Sequence, residues 1–389
     1  MFIEILKMIF RESKTTDILF DLFKSFLSLL DKFFPKDDKI LLFPIRDKDD
    51  YKDNMRFCYE SVRESSKFNC VLLCYSKESF NHKRFISFHS FQGILYWMRA
   101  RSIFIHHGTG DIPYFDSIDF HRRKLINLWH GIPLKGIGFT DSKADVGKLK
   151  KEFKLYTGVI CSSKLDQLAM KSSFGLPNEK IWITGLPRND SLIQETNTLP
   201  NDLIKELEWI QEKVGDKQMI LYMPTWRKNS SNDIFSKEEC AKLNQFLKDN
   251  NAVLTVKNHP NTEPFNFRGI DIIDISNSPC KEVSVLLRNA DILVTDYSSV
   301  WVDYLLLDRP IVSYCYDFDS YKEDPGFIYD YENIFPEKIN LTFDSFLSNL
   351  QKSLEKGNIS EKQKRLKHLF HENLDGKNSE RIYAKLVGN

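Results

Sequence analysis

The sequence lacks several features that would settle its class at once. No 18-residue apolar run occurs anywhere in the 389 residues, so no membrane-spanning helix is expected. The N-terminus interrupts its apolar residues with Glu4, Lys7, Arg11 and Glu12, which is unlike a secretory signal. The seven cysteines are scattered, odd in number and never spaced Cys-x-x-Cys, and Cys70 and Cys74 lie inside an apolar run. A disulfide scaffold or a zinc site is therefore not expected, and the chain reads as reduced and cytosolic-side. Neither charge predominates: 55 Lys+Arg against 54 Asp+Glu give +1, which removes the uniformly basic signature of a general nucleic-acid binder. Internal repeats and low-complexity tracts are also missing, and the composition excludes collagen and wholesale disorder.

What is present is a large supply of core-forming residues, 42% hydrophobic, with 30 Phe and 15 Tyr. At this length about two domains are expected. Residues 1–36 stand apart. From Asp17 to Phe34 the polar positions Asp17, Asp21, Lys24, Ser28 and Asp31 recur at spacings of three and four, with Ile18, Leu19, Leu22, Phe23, Phe26, Leu27, Leu30 and Phe33 on the other side. That pattern predicts an amphipathic helix. It fits either a foot on a membrane surface, with Lys7, Arg11, Lys14, Lys32, Lys36 and Lys39 nearby, or a helix docked on the protein's own core.

Beyond Pro35 short β-branched or aromatic runs alternate with longer helical stretches. Strands are expected at 40–45, 70–75, 102–105, 125–129, 158–161 and 181–184, then at 219–223, 252–256, 270–273, 292–295 and 311–315. Helices such as 237–249, 281–289 and 298–306 lie between them. This alternation predicts an α/β protein with parallel sheets in two Rossmann-like halves. The Thr-, Asn- and Pro-containing segment 194–202 is the expected linker.

In such sheets ligands bind beyond the carboxyl ends of the strands, so the polar residues that follow each strand carry the functional expectation. His130-Gly131-Ile132-Pro133-Leu134-Lys135 places an imidazole and an ammonium around a Gly/Pro turn, which suits a general base. His106-His107-Gly108 has a similar look, although adjacent histidines on an extended chain point apart and chelate poorly. Ser162 or Ser163 is expected to cap a helix. Arg188 can offer a fork to a phosphate, with Asn189 and Asp190 fixing the loop or binding a polyol. Thr225, Trp226 and Arg227 follow one strand, Lys257 and His259 another, and Asp296, Ser298 and Ser299 a third, where the two hydroxyls begin a helix whose N–H groups favour a phosphate.

Together the runs NLWHGIPLKGIG (127–138), GLPRND (185–190), LYMPTWR (221–227), KNHP (257–260) and ADILVTDYSSVWVDY (290–304) resemble the CDP-glycerol glycerophosphotransferase family of teichoic-acid primases and polymerases, also found in capsule synthesis. Asp308-Arg309-Pro310, Tyr316-Asp317, the run 375–381 and the early Asp53-Asn54 extend the resemblance over residues 39–382. It implies a GT-B fold with two Rossmann-like domains facing a cleft, an acceptor-side domain at 37–197 and a CDP-polyol-binding domain at 198–389, preceded by the helical segment 1–36. It further implies transfer of glycerol phosphate or ribitol phosphate from a CDP-polyol to a lipid-linked glycan or polyol-phosphate polymer, with CMP leaving, at the cytoplasmic membrane face.

Kinship also shifts the N-terminal helix toward the membrane reading and leaves room for a homo-oligomer; no nucleic acid, metal or cofactor beyond the donor is implied. Carried onto this chain, the catalytic set is His130, His259 and Asp296. The donor and phosphate set is Thr225, Arg227, Lys257, Ser298, Ser299 and Arg188, and the acceptor side is Lys135, Asn189 and Asp190. His130 is the expected base, although the roles of His130 and His259 are interchangeable at this level. Ile132, Leu186 and Phe335-Pro336-Glu337 depart from the family pattern and leave acceptor and polyol identity open. The long N-terminal extension of the large polymerases is missing, which leaves a primase or short capsule-type transferase beside a polymerase. A nucleotide-sugar glycosyltransferase of the same architecture and a catalytically silent scaffold are the alternatives.

Overall fold

The computed structural model describes residues 14–46, 50–75, 85–112, 118–225, 227, 234–257, 267, 269–276, 280–323, 326–356 and 359–388, with the side chains of 14–21, 23 and 356 outside the description. Two parallel sheets organise the chain. The first contains β1 (Asp37–Ile45), β2 (Asn69–Cys74), β3 (Phe85–Ser87), β4 (Ala100–Ile105), β5 (Lys124–Asn127), β6 (Gly158–Cys161) and β7 (Ile181–Ile183), in the order β3-β2-β1-β4-β5-β6-β7. The second contains β8 (Gln218–Met223), β9 (Ala252–Val256), β10 (Ile272–Asp274), β11 (Ile292–Thr295) and β12 (Ile311–Ser313), in the order β10-β9-β8-β11-β12. Both orders reverse once, between β1 and β4 and between β8 and β11, and such reversal points are where doubly wound sheets bind ligands.

The strand sequences explain this burial. Leu41, Leu42 and Phe43, Val71 to Leu73 and Ile103 to Ile105 are all but inaccessible, as expected of parallel strands covered on both faces. Phe43 stacks on Phe104, centroids 4.7 Å apart, across the β1–β4 reversal. Each of the eleven expected strands is found; β3 was missed because three residues give no period to read. The helix expected from Ser298 starts at Val300 and tightens into a 3₁₀ turn at Leu305–Leu307. Ser163 caps the helix Lys164–Phe174 through the Asp166 N–H, as expected.

The N-terminal helix, α1 (Lys14–Phe33), corrects the assignment of its faces. Asp31, placed on the outward polar side by periodicity, is 1% exposed, and Leu27 one turn earlier is buried beside it in sequence order. Leu22, Phe26, Leu29 and Phe33 are exposed instead. The reason is electrostatic: the Asp31 carboxylate receives Lys36 Nζ at 2.7 Å, the Arg123 guanidinium and the Asp119 N–H at 3.0 Å. Arg123 and Lys36 also donate to the Met98 carbonyl, at 3.3 and 2.7 Å. Arg122 closes the helix end on the carbonyls of Lys32 and Phe34, at 2.9 and 3.2 Å. A buried charge kept in a saturated network thus docks the helix, and its apolar stripe faces outward. Among the described residues no helix is long and apolar enough to cross a membrane.

By contacts the chain divides into two compact units. One comprises residues 1–130, 147–160 and 176–182, and the other residues 131–146, 161–175 and 183–389.

Candidate active site

In the first unit the polar groups gather at the ends of β1, β4 and β5. Asp111 organises them. Its Oδ2 accepts the backbone N–H groups of His106 and His107 at 2.9 and 2.7 Å, and its Oδ1 receives Arg46 Nη2 at 3.1 Å across the β1–β4 reversal. The bend that this forces places both rings on one side. His106 and His107 stack with centroids 4.4 Å apart, which corrects the expectation that they point in opposite directions, since that rule holds only for extended chain. His107 Nδ1 lies 3.4 Å from His130 Nδ1, and the Trp129 ring packs on His130 at 4.1 Å.

His130 is presented by a strained turn. Trp129 adopts φ +47°, a conformation rare for an aromatic residue. It is held by Asn127 Oδ1, which accepts the Trp129 N–H at 2.8 Å, and by Asn54, whose amide donates to the carbonyls of Leu128 and Trp129 at 3.0 Å each. The early Asp53-Asn54 pair is thereby tied to the His130 turn through the backbone.

In the second unit Asp296 spans the β8–β11 reversal. Its Oδ1 accepts the N–H groups of Thr225 and Tyr297 at 2.8 and 2.5 Å, and its Oδ2 receives Arg227 Nη1 at 2.7 Å. Arg227 also forks onto Asp317, Nε to Oδ2 at 2.6 Å and Nη2 to Oδ1 at 2.9 Å. Its guanidinium lies over the rings of Tyr297, Tyr316 and Tyr321 at 5.3, 5.2 and 5.7 Å. Burial opposes both charges, yet the pairing wins: Asp317 is held below the usual carboxylate range and the Arg227 pKa is raised. Thr225 Oγ1 is buried with no hydrogen-bond partner.

Lys135 joins this group. Its ammonium lies 5.3 Å from the Tyr321 centroid, and burial lowers its pKa to about 8, with Asp296 opposing and Arg227 assisting the shift. It donates no hydrogen bond to any described residue. Arg188 is held by Asp303, Nη2 to Oδ2 at 2.6 Å. Gly131, at φ +149°, explains its own identity: a Cβ there would come within 3.1 Å of Arg188 Nη2 and 3.2 Å of Ser299 Oγ. The guanidinium and the hydroxyl therefore converge on one bare stretch of backbone.

Residues 26–388 match the model of the CDP-Glycerol:Poly(glycerophosphate) glycerophosphotransferase family. The chain belongs to that family. It is 28% identical over 358 residues to the teichoic acid poly(ribitol-phosphate) polymerase of Bacillus spizizenii, covering 87% of this chain and 54% of the relative. It is 30% identical over 241 residues to the teichoic acid glycerol-phosphate primase of Bacillus subtilis, covering 59% of each. The chain thus spans somewhat more than half the length of these curated relatives. A solved structure of the wall teichoic acid polymerase TagF superposes with TM-score 0.75 at 23% identity, covering 94% of this chain and 92% of that one. The fold of this glycerophosphotransferase family member is accordingly the GT-B α/β type expected from its motifs.

The expected site residues of the family member fall into separate groups. Thr225, Arg227, Asp296 and Lys135 come together. Arg188 and Ser299 converge at Gly131. Ser298 Oγ accepts the Val300 N–H at 3.4 Å, and Lys257 donates to the Cys280 carbonyl at 2.8 Å. Asp190 is engaged elsewhere, accepting the N–H groups of Asn378 and Ser379 and the Ser379 hydroxyl at 2.8, 3.0 and 2.9 Å, so it caps the helix Asn378–Gly388. Burial raises its pKa to about 6 against the pull of those donors. Asn189 is buried, with neither amide atom hydrogen-bonded. His259 and Trp226 lie outside the described residues.

Sequence reasoning missed Asp111, Asp303 and Asp317 as partners of the site's basic groups. Asp303 had a readable signal, lying four residues beyond Ser299 and hence one helical turn on. Asp111 had none. Among the described residues no cluster of three or more His, Cys, Asp or Glu could hold a metal ion.

Proposed function

We propose that the chain transfers a polyol phosphate from a CDP-polyol to a hydroxyl of a lipid-linked glycan or growing polymer in teichoic-acid or capsule-type synthesis. The observation that carries the reading is the family match over residues 26–388, which includes every candidate site residue named above. The acceptor oxygen attacks the polyol-bearing phosphorus in line, a new P–O ester bond forms, and the pyrophosphate P–O bond breaks as CMP leaves with the electron pair. His130 takes the acceptor proton. Arg188, Ser298 and Ser299 hold donor phosphate oxygens, and Lys135 supplies positive charge as the leaving group develops. Asp296 acts by holding the Thr225 backbone and Arg227 beyond β8. The outward stripe Leu22, Phe26, Leu29 and Phe33, with Lys24 and Lys32 on the same helix, supports peripheral binding at the cytoplasmic membrane face.

One experiment tests donor class and membrane binding together. Protein is mixed with anionic vesicles that carry the lipid-linked acceptor, and CMP release is followed with CDP-glycerol, CDP-ribitol or a UDP-sugar. CMP release with one CDP-polyol and recovery of the protein with the vesicles are expected, and a Phe26→Asp/Phe33→Asp variant should stay in the supernatant. Turnover only with the UDP-sugar would overturn the donor assignment, and equal recovery of the variant would overturn the membrane face.

The depressed Lys135 pKa adds a pH dependence. A lysine that works as a cation loses its function as pH rises through its pKa, so kcat/KM should fall above about pH 8. Lys135→Arg keeps the charge and should remove this alkaline limb; Lys135→Met should lower kcat/KM about tenfold at neutral pH. An alkaline limb that persists in Lys135→Arg would assign it to another group.

A further inference from the structure

The reading of His130 as base leaves a question that the geometry answers. A neutral imidazole accepts a proton at only one of its two nitrogens, so a base that works through Nε2 must keep its own proton on Nδ1. Something must hold that tautomer. In serine hydrolases a carboxylate does so; here Nδ1 of His107 lies 3.4 Å from His130 Nδ1. Where two imidazole nitrogens share one hydrogen, one ring donates and the other accepts, and the acceptor must be neutral.

We infer that His107 is the positioning residue for His130: its Nδ1 accepts the His130 Nδ1–H and leaves the His130 Nε2 lone pair available to the acceptor hydroxyl. The inference rests on the proposed role of His130 and adds a residue that the motif reading left without a function. Three features support the pairing. The Asp111 carboxylate pins the His106 and His107 N–H groups, so the His107 ring has a fixed origin. The ring is packed between two others, stacked on His106 at 4.4 Å and tilted against His130 at 5.1 Å. Packing and the neighbouring His106 hold the His107 pKa below its ordinary value, against Asp111 and Asp50 and with Arg46 assisting, so the ring is neutral and able to accept. The Asp53 carboxylate lies 3.7 Å from His106 Nε2 in the same cluster.

The step balances simply. When His130 Nε2 takes the acceptor proton, the ring becomes an imidazolium and its Nδ1–H bond to His107 becomes charge-assisted and stronger. The 3.4 Å separation is long for a hydrogen bond, and catalytic bonds of this kind shorten when substrate is bound. His107 takes up no proton and touches no reacting atom.

The test uses the full chain labelled with nitrogen-15 histidine, the His130 signals being assigned by their loss in His130→Ala. In the wild type the His130 Nδ1 should show the shift of a protonated nitrogen and Nε2 that of an unprotonated one. His107→Phe should abolish that preference and lower kcat about tenfold with KM within about twofold. His107→Asn, whose amide oxygen can take the place of Nδ1, should recover most of both. An unchanged His130 tautomer in His107→Phe overturns the inference. So does an unchanged kcat in His107→Phe while His130→Ala is inactive, an outcome that leaves the base assignment standing. A fully active His130→Ala removes the base assignment instead, and the ring nitrogen shifts alone then decide whether His107 holds His130.

Discussion

His130→Ala is expected to lower kcat by about 10²- to 10⁴-fold, the usual contribution of the general base it is proposed to be, while KM changes little. The expectation follows from where the imidazole stands. It sits at the end of a turn forced into positive φ at Trp129, fastened by Asn127 and Asn54 from two other elements, a conformation that costs free energy and persists only because its surroundings enforce it. Asn54→Ala should reproduce part of the loss without touching the ring, since it releases two backbone carbonyls from their donor. CMP release under saturating donor is the measurement. A kcat within about twofold of wild type for a folded His130→Ala protein would remove His130 from the chemistry.

The largest effect on stability is expected at Asp31. Removing its carboxylate leaves Lys36 and Arg123 buried without their shared counter-charge, and breaking one side of a buried ion pair costs about 3–5 kcal/mol. Burial already lowers the Lys36 pKa and takes that of Arg123 to about 10, with Asp31 opposing both shifts, so both cations depend on it. Asp31→Ala should therefore shift the urea midpoint strongly. Asp31→Asn, which retains one acceptor oxygen in place of two, should shift it less. A loss below about 1 kcal/mol in Asp31→Ala would mean that helix α1 is held by its apolar contacts.

The contrast between α1 and the strands shows what each level of description carries. Along β1, β4, β8 and β11 the apolar runs are nearly unbroken, and a strand covered on both faces permits little else, so their positions were readable from composition and length. The residues after them were readable as well. Polar groups bunched behind an apolar run have nowhere to go in a parallel sheet except its carboxyl edge, which is why His130, Arg188, Asp296 and the two serines stood out as candidates. Periodicity failed at Asp31 because it ranks residues by their affinity for water, and a carboxylate with two cations and an N–H to receive is as well solvated inside as outside.

Arg227 and His107 show the other side of that limit. As a sequence feature Arg227 is a guanidinium beyond a strand, ready for a phosphate; in the structure Asp296 and Asp317 already occupy it, because chain from far along the sequence supplies those carboxylates. Lys135 gathers with Asp296 and Tyr321, and its amine is tuned by burial that no local pattern encodes. His106 and His107 turn to one side only because Asp111 bends the backbone beneath them. The sequence by itself determined the α/β class, the strands other than β3, the family and the residue types gathered at the strand ends, since these follow from local hydrophobic pattern and motif. Which charges are compensated, which imidazole faces which, and which face of α1 meets solvent were decided only by the tertiary structure, because each depends on a partner brought in from a distant part of the chain.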